Sequence, residues 1–266
     1  MAKKKISTGY SENKLPYIKI GKGPKKLVVF EGLNFSHKIP SGMQVRMHRR
    51  MFKGLPSDYT VYIVGRKPGL PEGCTMRDMS NDYAVMVRDE NGAPVDIAGI
   101  STGGPPALWF AVDHRDLMEK LVLISTGYRL SDYGKKVQQE MLEAARKGKK
   151  RKTAAATAGL LVSKGFKSRM TKIVFWLFGP AIFGKADSLS DGIVELEAED
   201  IFDFEERLPT VKVPTLVVGG TGDPLYPIKE TAEKIPDAKL VLYESTGHIA
   251  PSGKKFVDDL VEFLEY

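Results

Sequence analysis

The chain is 266 residues long, with 42% hydrophobic and 27% charged residues, which is typical of a soluble globular protein with a sizeable core. Its single cysteine, Cys74, excludes an intramolecular disulfide, fits a reducing cytoplasm and is not expected to be catalytic. The formal net charge of +7 raises the question of nucleic-acid binding. Because no recognisable nucleic-acid motif accompanies that charge, we expect no nucleic-acid partner.

Much of the positive charge lies between Lys135 and Lys172, and this clustering favours a solvated basic face on a helical segment. The N-terminus is basic and then polar, without the apolar core of a signal peptide. The longest apolar run, Ile173 to Phe183, is interrupted by Gly179 and Pro180 and is too short to span a bilayer. These features lead us to expect a soluble, cytoplasmic protein.

Short apolar strands alternate with helices through the first part of the chain. The sequence predicts an edge strand at Leu15–Ile20 and a buried strand at Lys26–Phe30. Helices are predicted at Gln44–Lys53 and Met76–Asp89, with a strand at Tyr59–Val64 between them.

The next strand, Val95–Ile100, leads into the motif Gly99-Ile100-Ser101-Thr102-Gly103, and a helix is predicted at Ala107–Leu117. A serine between two glycines on a sharp turn from strand to helix is the pattern of a nucleophile elbow. The turn leaves little room for side chains beside the serine. The N-terminus of the following helix directs backbone N–H groups at the site, where they can stabilise an oxyanion.

A buried strand at Lys120–Ser125 follows, and the alternation then stops between Tyr128 and Pro209, where the pattern is helical. It resumes with two strands and two helices, which are Pro214–Gly219, Ile228–Ile235, Lys239–Tyr243 and Lys254–Leu264. Such alternation predicts a mostly parallel sheet with helices on both faces. Functional sites in these sheets lie beyond the carboxyl ends of the strands.

A serine hydroxyl needs a base, and His248 is the candidate because it follows the last strand and precedes the last helix. That position predicts that it lies at the same edge of the sheet as Ser101. His48 and His114 fall within predicted helices and are interpreted as surface or structural residues. His37 lies in a loop after the first buried strand, where it could line a pocket but is not expected to be the base.

A carboxylate is needed to orient the histidine and to stabilise its charged form. Asp223 directly follows a strand end, in Gly219-Gly220-Thr221-Gly222-Asp223-Pro224. The alternative is that it only starts a turn, as Asp before Pro often does. Its place between the serine and the histidine favours the catalytic role, and Asp203 is the alternative acid. For the oxyanion, the backbone N–H groups of Thr102 and Leu33 are the predicted donors.

With these motifs the chain resembles the α/β-hydrolase superfamily, as a cap-bearing member of the serine esterase or lipase type. The resemblance implies an α/β fold with about eight strands, a core at residues 1–127 and 210–266, and a helical cap at residues 128–209. It implies no cofactor and no metal. One departure is Glu31, which stands before Gly32 where the family usually has histidine. The apolar run Ile173–Phe178 is expected to line an acyl pocket under the cap.

The residues together predict a serine hydrolase that cleaves carboxylic esters through Ser101, His248 and Asp223. The substrate is expected to be a small-molecule ester with an apolar acyl or alcohol part. The sequence leaves open the same chemistry on a thioester, a lactone or a carbon–carbon bond, perhydrolysis, and a non-catalytic binding protein with this fold. Contact of the basic cap with an anionic membrane surface is a less favoured alternative. The oligomeric state is not indicated.

Overall fold

The computed structural model describes residues 5–161, 170–171, 173–177, 189–244, 246–248 and 251–266. Eight strands form a single sheet, and in chain order they are β1 (Ile6–Tyr10), β2 (Pro16–Ile20), β3 (Lys25–Phe30), β4 (Tyr59–Val64), β5 (Val95–Ile100), β6 (Met118–Ile124), β7 (Thr215–Gly220) and β8 (Lys239–Tyr243). Their order across the sheet is β1-β2-β4-β3-β5-β6-β7-β8.

Six strands, β3 to β8, run parallel to one another. Strand β2 pairs antiparallel with both β1 and β4. The carboxyl ends of six strands therefore lie along one edge of the sheet. The predicted fold class, a mostly parallel sheet of about eight strands, is confirmed.

Helices cover both faces of this sheet. In chain order the principal described helices of the protein are α1 (Met43–Met51), α2 (Met76–Met86), α3 (Gly104–Asp113), α4 (Asp132–Arg146), α5 (Lys150–Leu161), α6 (Ser190–Asp200), α7 (Ile228–Lys234) and α8 (Lys254–Glu265). Alternate residues of β3 show the two layers, since Val28 and Phe30 belong to the core beneath α2 and α3 while Leu27 and Val29 belong to the core beneath α8. This alternation follows from the two-residue period of a strand.

The sequence analysis missed β1, and it was wrong to place Leu15–Ile20 at the edge of the sheet. Strand β1 forms the edge and pairs with β2 from Ile6 opposite Ile20 to Tyr10 opposite Pro16. Three of its five residues are exposed and the other two are only partly buried, so it carries no run of buried apolar residues. An exposed edge strand of this kind leaves little hydrophobic signal in a sequence.

Helices α4, α5 and α6 occupy the chain between β6 and β7, and within the described residues this stretch contains no strand. They pack around a core of their own, formed by Met141, Leu142, Ala145, Ala154, Leu189 and Leu196 together with Phe35 from the loop after β3. Residue Gly192 of α6 lies so close to Phe35 that a Cβ would stand 2.2 Å from its ring. The division into a core and a cap at residues 128–209 remains a prediction, and so does contact of the cap with a membrane surface.

The apolar run that was expected to line the acyl pocket lies partly within the described residues. Residues 173–177 are helical, and Ile173, Trp176 and Leu177 are each more than 40% exposed. Residue Phe178 lies outside the described residues. The expectation that this run lines a pocket is therefore not met by the residues that the structure describes. None of the described helices combines the length and the apolar composition that crossing a bilayer requires.

Asp96, on β5, is a buried carboxyl whose Oδ1 has no hydrogen-bond partner among the described residues. Burial, reinforced by the charge of Glu119, raises its pKa to about 7. The native state therefore binds more protons than the unfolded state between about pH 4 and pH 7, and its stability falls as the pH rises through that window. Above it, we expect Asp96→Asn to raise the free energy of unfolding by about 2–4 kcal/mol.

Denaturant unfolding of both proteins at pH 4 and at pH 8 measures this effect. The two proteins should differ by less than about 1 kcal/mol at pH 4, where the native aspartate is protonated and the unfolded one is about half ionised. An equal difference at both pH values would contradict the prediction.

Candidate active site

A strained turn after β5 presents Ser101 at the carboxyl edge of the sheet. Ser101 has a φ of 50°, in the left-handed region that non-glycine residues rarely adopt. A Cβ on Gly99 would stand 2.5 Å from the Gly103 carbonyl oxygen, and one on Gly103 would stand 2.1 Å from the Phe30 carbonyl oxygen. Side chains at these two positions are excluded by backbone contacts, as the sequence analysis predicted.

The helix after the turn begins at Gly104, with Pro105 and Pro106 in its first turn. Its start is three residues earlier than predicted, because Pro has no backbone N–H to lose at this position and its φ already suits a helix. The N-terminus of α3 consequently follows the serine almost directly. The positive end of the helix dipole lies beside the site, where negative charge is stabilised.

Ser101, His248 and Asp223 form a continuous chain of hydrogen bonds. Ser101 Oγ lies 2.9 Å from His248 Nε2, and His248 Nδ1 lies 2.9 Å from Asp223 Oδ2. The side chains of His248 and Asp223 are only 8% and 1% exposed. The other oxygen of Asp223, Oδ1, accepts the backbone N–H of Leu225 at 2.8 Å. This second bond holds the carboxylate in place, so that Oδ2 faces the imidazole.

Backbone contacts bring the two loops of this chain together. The N–H of Gly222 donates to the Thr246 carbonyl at 3.0 Å, which ties the Asp223 loop to the His248 loop. Gly220 lies against the same segment, and a Cβ there would stand 2.3 Å from the Thr246 oxygen. These backbone contacts bring Asp223 and His248, which are 25 residues apart along the chain, close together in space.

A small pocket with a cavity volume of about 20 Å³ lies beside Ser101. Its described lining has five apolar side chains, five polar side chains and one glycine, and consists of Leu33, Ser101, Thr102, Leu130, Gly134, Gln138, Met141, Leu160, Glu199, Leu225 and Tyr226. Both predicted oxyanion residues, Thr102 and Leu33, are in this lining. A Cβ on Gly32 would approach the Ile100 carbonyl to 3.3 Å, which shows how closely the loop after β3 passes the elbow.

Comparison with known proteins agrees with this geometry. The family model of the alpha/beta hydrolase fold matches residues 49–254, which is most of the chain. The chain belongs to the α/β-hydrolase fold family. Membership supports a hydrolase, and it leaves the substrate undefined.

Relatives of this α/β hydrolase differ in the reactions that their names describe. A non-heme chloroperoxidase of Kitasatospora aureofaciens is 37% identical over 101 residues, which is 35% of each chain. The enol-lactonase of Burkholderia xenovorans LB400 has 20% identity and a TM-score of 0.75, over 98% of this chain and 100% of that one. An esterase of Thermogutta terrifontis has 21% identity and a TM-score of 0.71, over 99% and 98%. At these identities the solved structures show the shared fold.

Arg66, which the sequence analysis did not single out, holds the loop after β3, which carries Leu33 and is called here the predicted oxyanion loop, against the elbow at Ser101. Its guanidinium is buried and donates to the carbonyl oxygens of Glu31, Gly32 (3.0 Å) and Thr102 (2.8 Å). It also pairs with Glu195 Oε1 of α6 at 2.9 Å. The sequence feature that could have identified Arg66 is its position two residues after the buried strand β4, at the edge of the sheet where the site lies.

The arginine also determines the direction of a predicted oxyanion donor. The Gly32 carbonyl and the Leu33 N–H belong to the same planar trans peptide and point in opposite directions. Because Arg66 binds the carbonyl, the Leu33 N–H is directed away from the guanidinium.

Glu31, the departure from the family pattern, is satisfied by local partners. Its Oε1 lies 3.0 Å from His48 Nε2, and its Oε2 accepts from Asn34 Nδ2 at 3.4 Å. Burial by itself would raise the pKa of Glu31, but the hydrogen bond from His48 and the charges of His48 and Arg66 hold it below the usual value. The residue is therefore an anion that supports the oxyanion loop from behind.

The remaining candidates lie away from the reacting atoms. The buried His48 has the structural role just described, and His114 bonds Asn81 on the surface at 2.9 Å. His37 is buried against Glu195, with Nε2 at 3.4 Å from Oε2, and it does not line the pocket within the described residues. Asp203 is exposed and accepts the backbone N–H of Glu205 at 3.0 Å, so it is not the acid of this site.

Two further polar side chains, Tyr226 and Glu199, lie on the pocket side of the serine. The Tyr226 hydroxyl is hydrogen-bonded to Glu199 Oε1, and both residues line the same pocket as Ser101. Burial raises the pKa of Glu199 to about 8. Sequence reasoning missed both residues, because the glutamate comes from the segment between β6 and β7 and only the folded chain brings it to the elbow. Within the described residues, no group of three or more His, Cys, Asp or Glu side chains is placed to hold a metal ion.

Proposed function

We propose that this protein is a serine hydrolase that cleaves carboxylic esters. The observation that carries the proposal is the chain of hydrogen bonds from Ser101 through His248 to Asp223, on a nucleophile elbow that opens into a pocket. Each member has the role that its contacts support. Ser101 is the nucleophile, His248 is the base, and Asp223 orients the imidazole.

In the first half of the reaction, Ser101 Oγ attacks the carbonyl carbon as its proton passes to His248 Nε2. The π electron pair of the carbonyl moves onto its oxygen, which the N–H groups of Thr102 and Leu33 stabilise. When this tetrahedral intermediate collapses, the bond to the alcohol oxygen breaks. The alcohol takes the proton from His248 and leaves, and the acyl group remains on Ser101.

Water completes the cycle by the same steps in reverse. His248 Nε2 removes a proton from the water, whose oxygen attacks the acyl carbon. Collapse of the second intermediate breaks the bond to Ser101 Oγ, which recovers its proton from His248. Throughout, the Asp223 carboxylate stabilises the charged imidazole without itself becoming protonated.

The pocket supports a small substrate with an apolar part. Leu33, Leu130, Met141, Leu160 and Leu225 supply apolar surface beside the nucleophile. The cavity volume of about 20 Å³ is far below the range for small-molecule sites, which begins near 300 Å³. The proposed substrate is therefore an ester with a short acyl chain, processed without a cofactor.

Hydrolysis of p-nitrophenyl esters from acetyl to dodecanoyl, by the wild-type protein and by Ser101→Ala, tests the proposal. We expect the wild type to prefer short acyl chains and the variant to lose at least about 10⁴-fold in kcat/KM. The same pair is assayed on a thioester, a γ-lactone and a carbamate of matched size. Equal activity of the two proteins on every ester, or hydrolysis confined to another of these bonds, would contradict the ester assignment.

A further inference from the structure

The carboxylate of Glu195 joins α6 to the residue that follows the nucleophile. Glu195 is fully buried, and its Oε1 accepts the Thr102 hydroxyl at 2.8 Å. The same oxygen pairs with Arg66 at 2.9 Å, and Oε2 lies 3.4 Å from His37 Nε2. Glu195 comes from the segment between β6 and β7, whereas its partners follow β3, β4 and β5. One side chain of α6 therefore contacts three other segments at the carboxyl edge of the sheet.

The hydrogen of the Thr102 hydroxyl has one direction in this cluster. Arg66 Nη2 lies 3.1 Å from Thr102 Oγ1, and a guanidinium only donates hydrogen bonds. The hydroxyl hydrogen is consequently directed to the Glu195 carboxylate, which accepts it. The Thr102 side chain is therefore held between two buried ions of opposite charge.

The backbone on both sides of Thr102 is held as well. The Thr102 carbonyl accepts from Arg66 Nη2 at 2.8 Å. The Ser101 carbonyl accepts the backbone N–H of Gly104, and it belongs to the same planar peptide as the Thr102 N–H. In a trans peptide these two groups point in opposite directions, so the Thr102 N–H is directed away from Gly104. Rotation of Thr102 about its backbone bonds would break at least one of these contacts.

The direction of the Thr102 N–H matters because it is one of the two predicted oxyanion donors. Such a donor is effective when its hydrogen is already aimed at the place where negative charge develops. The elbow itself is a strained turn, with Ser101 at a φ of 50°. Strain of this kind persists only where surrounding contacts hold the backbone in place, and Glu195 and Arg66 supply such contacts from outside the elbow.

We propose that Glu195 is a positioning residue, which orients Thr102 so that its backbone N–H stabilises the oxyanion. Glu195 acts through the Thr102 hydroxyl, and within the described residues it does not line the pocket beside Ser101. Helix α6 is then part of the catalytic framework, because its position determines how firmly an oxyanion donor on another segment is held. This inference rests on the proposed function, since it assigns a role within the same site.

Thr102→Val tests the hydrogen bond directly, because it removes the hydroxyl and keeps both the backbone N–H and the ion pair of Arg66 with Glu195. The measurement is the second-order rate at which a fluorophosphonate probe labels Ser101. This reaction places a negatively charged oxygen at the same donors and does not require the natural substrate. We expect the rate to fall about tenfold, which is less than the roughly 10²–10³-fold cost of losing a donor outright. On an ester substrate, kcat should fall by a similar factor while KM stays within about twofold.

Two further variants test the two ends of the contact. Thr102→Ser keeps a hydroxyl and should recover most of the labelling rate that Thr102→Val loses. Glu195→Leu removes the acceptor, and its effect is measured alone and together with Thr102→Val. Because both changes break the same hydrogen bond, the double variant should lose about tenfold less than the product of the two single losses. If Glu195→Leu does not fold, the comparison of Thr102→Val with Thr102→Ser decides by itself.

Thr60→Val is the matched control for the loss of a buried threonine hydroxyl. Thr60 lies near the amino end of β4, where its hydroxyl donates to the Gly23 carbonyl at 2.7 Å. We expect this variant to lose stability as Thr102→Val does and to keep the wild-type labelling rate. Thermal unfolding shows which variants are folded.

A wild-type labelling rate in Thr102→Val would overturn the inference, and so would equal losses in Thr102→Val and Thr102→Ser. Losses that multiply in the double variant would remove Glu195 from the positioning of Thr102. Labelling of Ser101 in a protein that hydrolyses no ester contradicts only the ester assignment. No labelling of the wild type contradicts the activated serine and this inference with it.

Discussion

Replacement of Asp223 by Asn is expected to lower kcat for ester hydrolysis by about 10⁴-fold, with little change in the fold. The reason lies in the second hydrogen bond of the carboxylate. Oδ1 accepts the backbone N–H of Leu225 at 2.8 Å. In an Asn side chain only the amide oxygen can accept this hydrogen bond, because the NH₂ group is a donor. The amide oxygen of Asn must therefore occupy that place, which turns its NH₂ group towards His248 Nδ1.

An NH₂ donor opposite Nδ1 inverts the tautomer of His248. The imidazole must then accept at Nδ1 and carry its hydrogen on Nε2, which faces Ser101 Oγ. A nitrogen that already carries hydrogen cannot take the proton of the serine. Activity is lost through the wrong tautomer, although every side chain keeps its position.

Steady-state kinetics and thermal unfolding of Asp223→Asn measure both parts of this expectation. Asp203→Asn is the matched control, since Asp203 was the alternative acid and only meets the backbone N–H of Glu205. It should retain wild-type kcat. Full activity of Asp223→Asn together with loss of activity in Asp203→Asn would contradict the assignment of the acid.

Replacement of Arg66 by Met is expected to destabilise the protein by about 3–5 kcal/mol and to lower kcat by about 100-fold. The loss of stability arises because Glu195, which is fully buried, loses the cation that pairs with it. The loss of kcat arises because the carbonyls of Gly32 and Thr102 lose the donor that holds the oxyanion loop against the elbow.

These two effects can be separated with a second variant. In the double variant Arg66→Met with Glu195→Leu, no unpaired charge remains, so much of the stability should return while kcat stays low. Arg77→Met is the surface control, because Arg77 is half exposed in its pair with Asp113, and little change in stability is expected there. Denaturant unfolding and steady-state kinetics of the four proteins provide the comparison. If kcat recovers with stability in the double variant, Arg66 has no role in orienting the oxyanion loop.

The residues of the elbow and the triad were predictable because each carries a local signal. Ser101 lies between glycines that backbone contacts require, and His248 and Asp223 each follow a strand end at the carboxyl edge of a parallel sheet. In a parallel sheet the carboxyl ends of all strands lie at the same edge, so these residues were expected to be close together whatever the order of the strands. Their approach to within 2.9 Å is seen in the structure, and their catalytic roles remain proposals.

Strand β1 and the buried ion pair of Arg66 and Glu195 have no local sequence pattern that predicts them. The exposed side chains of β1 have no period that distinguishes them from a loop. The roles of Arg66, Glu195 and Glu199 depend on partners that are distant along the chain, since 129 residues separate Arg66 from Glu195 and 27 separate Glu199 from Tyr226. A buried charge is tolerated only where a partner meets it, and the identity of that partner is not encoded in the neighbouring residues.

The sequence by itself determined the class of the fold, the elbow and the order of serine, acid and base, because these depend on periodicity, glycines and position at strand ends. The tertiary structure alone decided which buried charges are paired and which are neutral. Arg66 neutralises Glu195 and leaves Glu199 among acidic neighbours, next to the Tyr226 hydroxyl. The physical reason is that the free energy of a buried charge depends on the three-dimensional positions of its counter-charges and hydrogen-bond partners, and these positions exist only once the chain has folded.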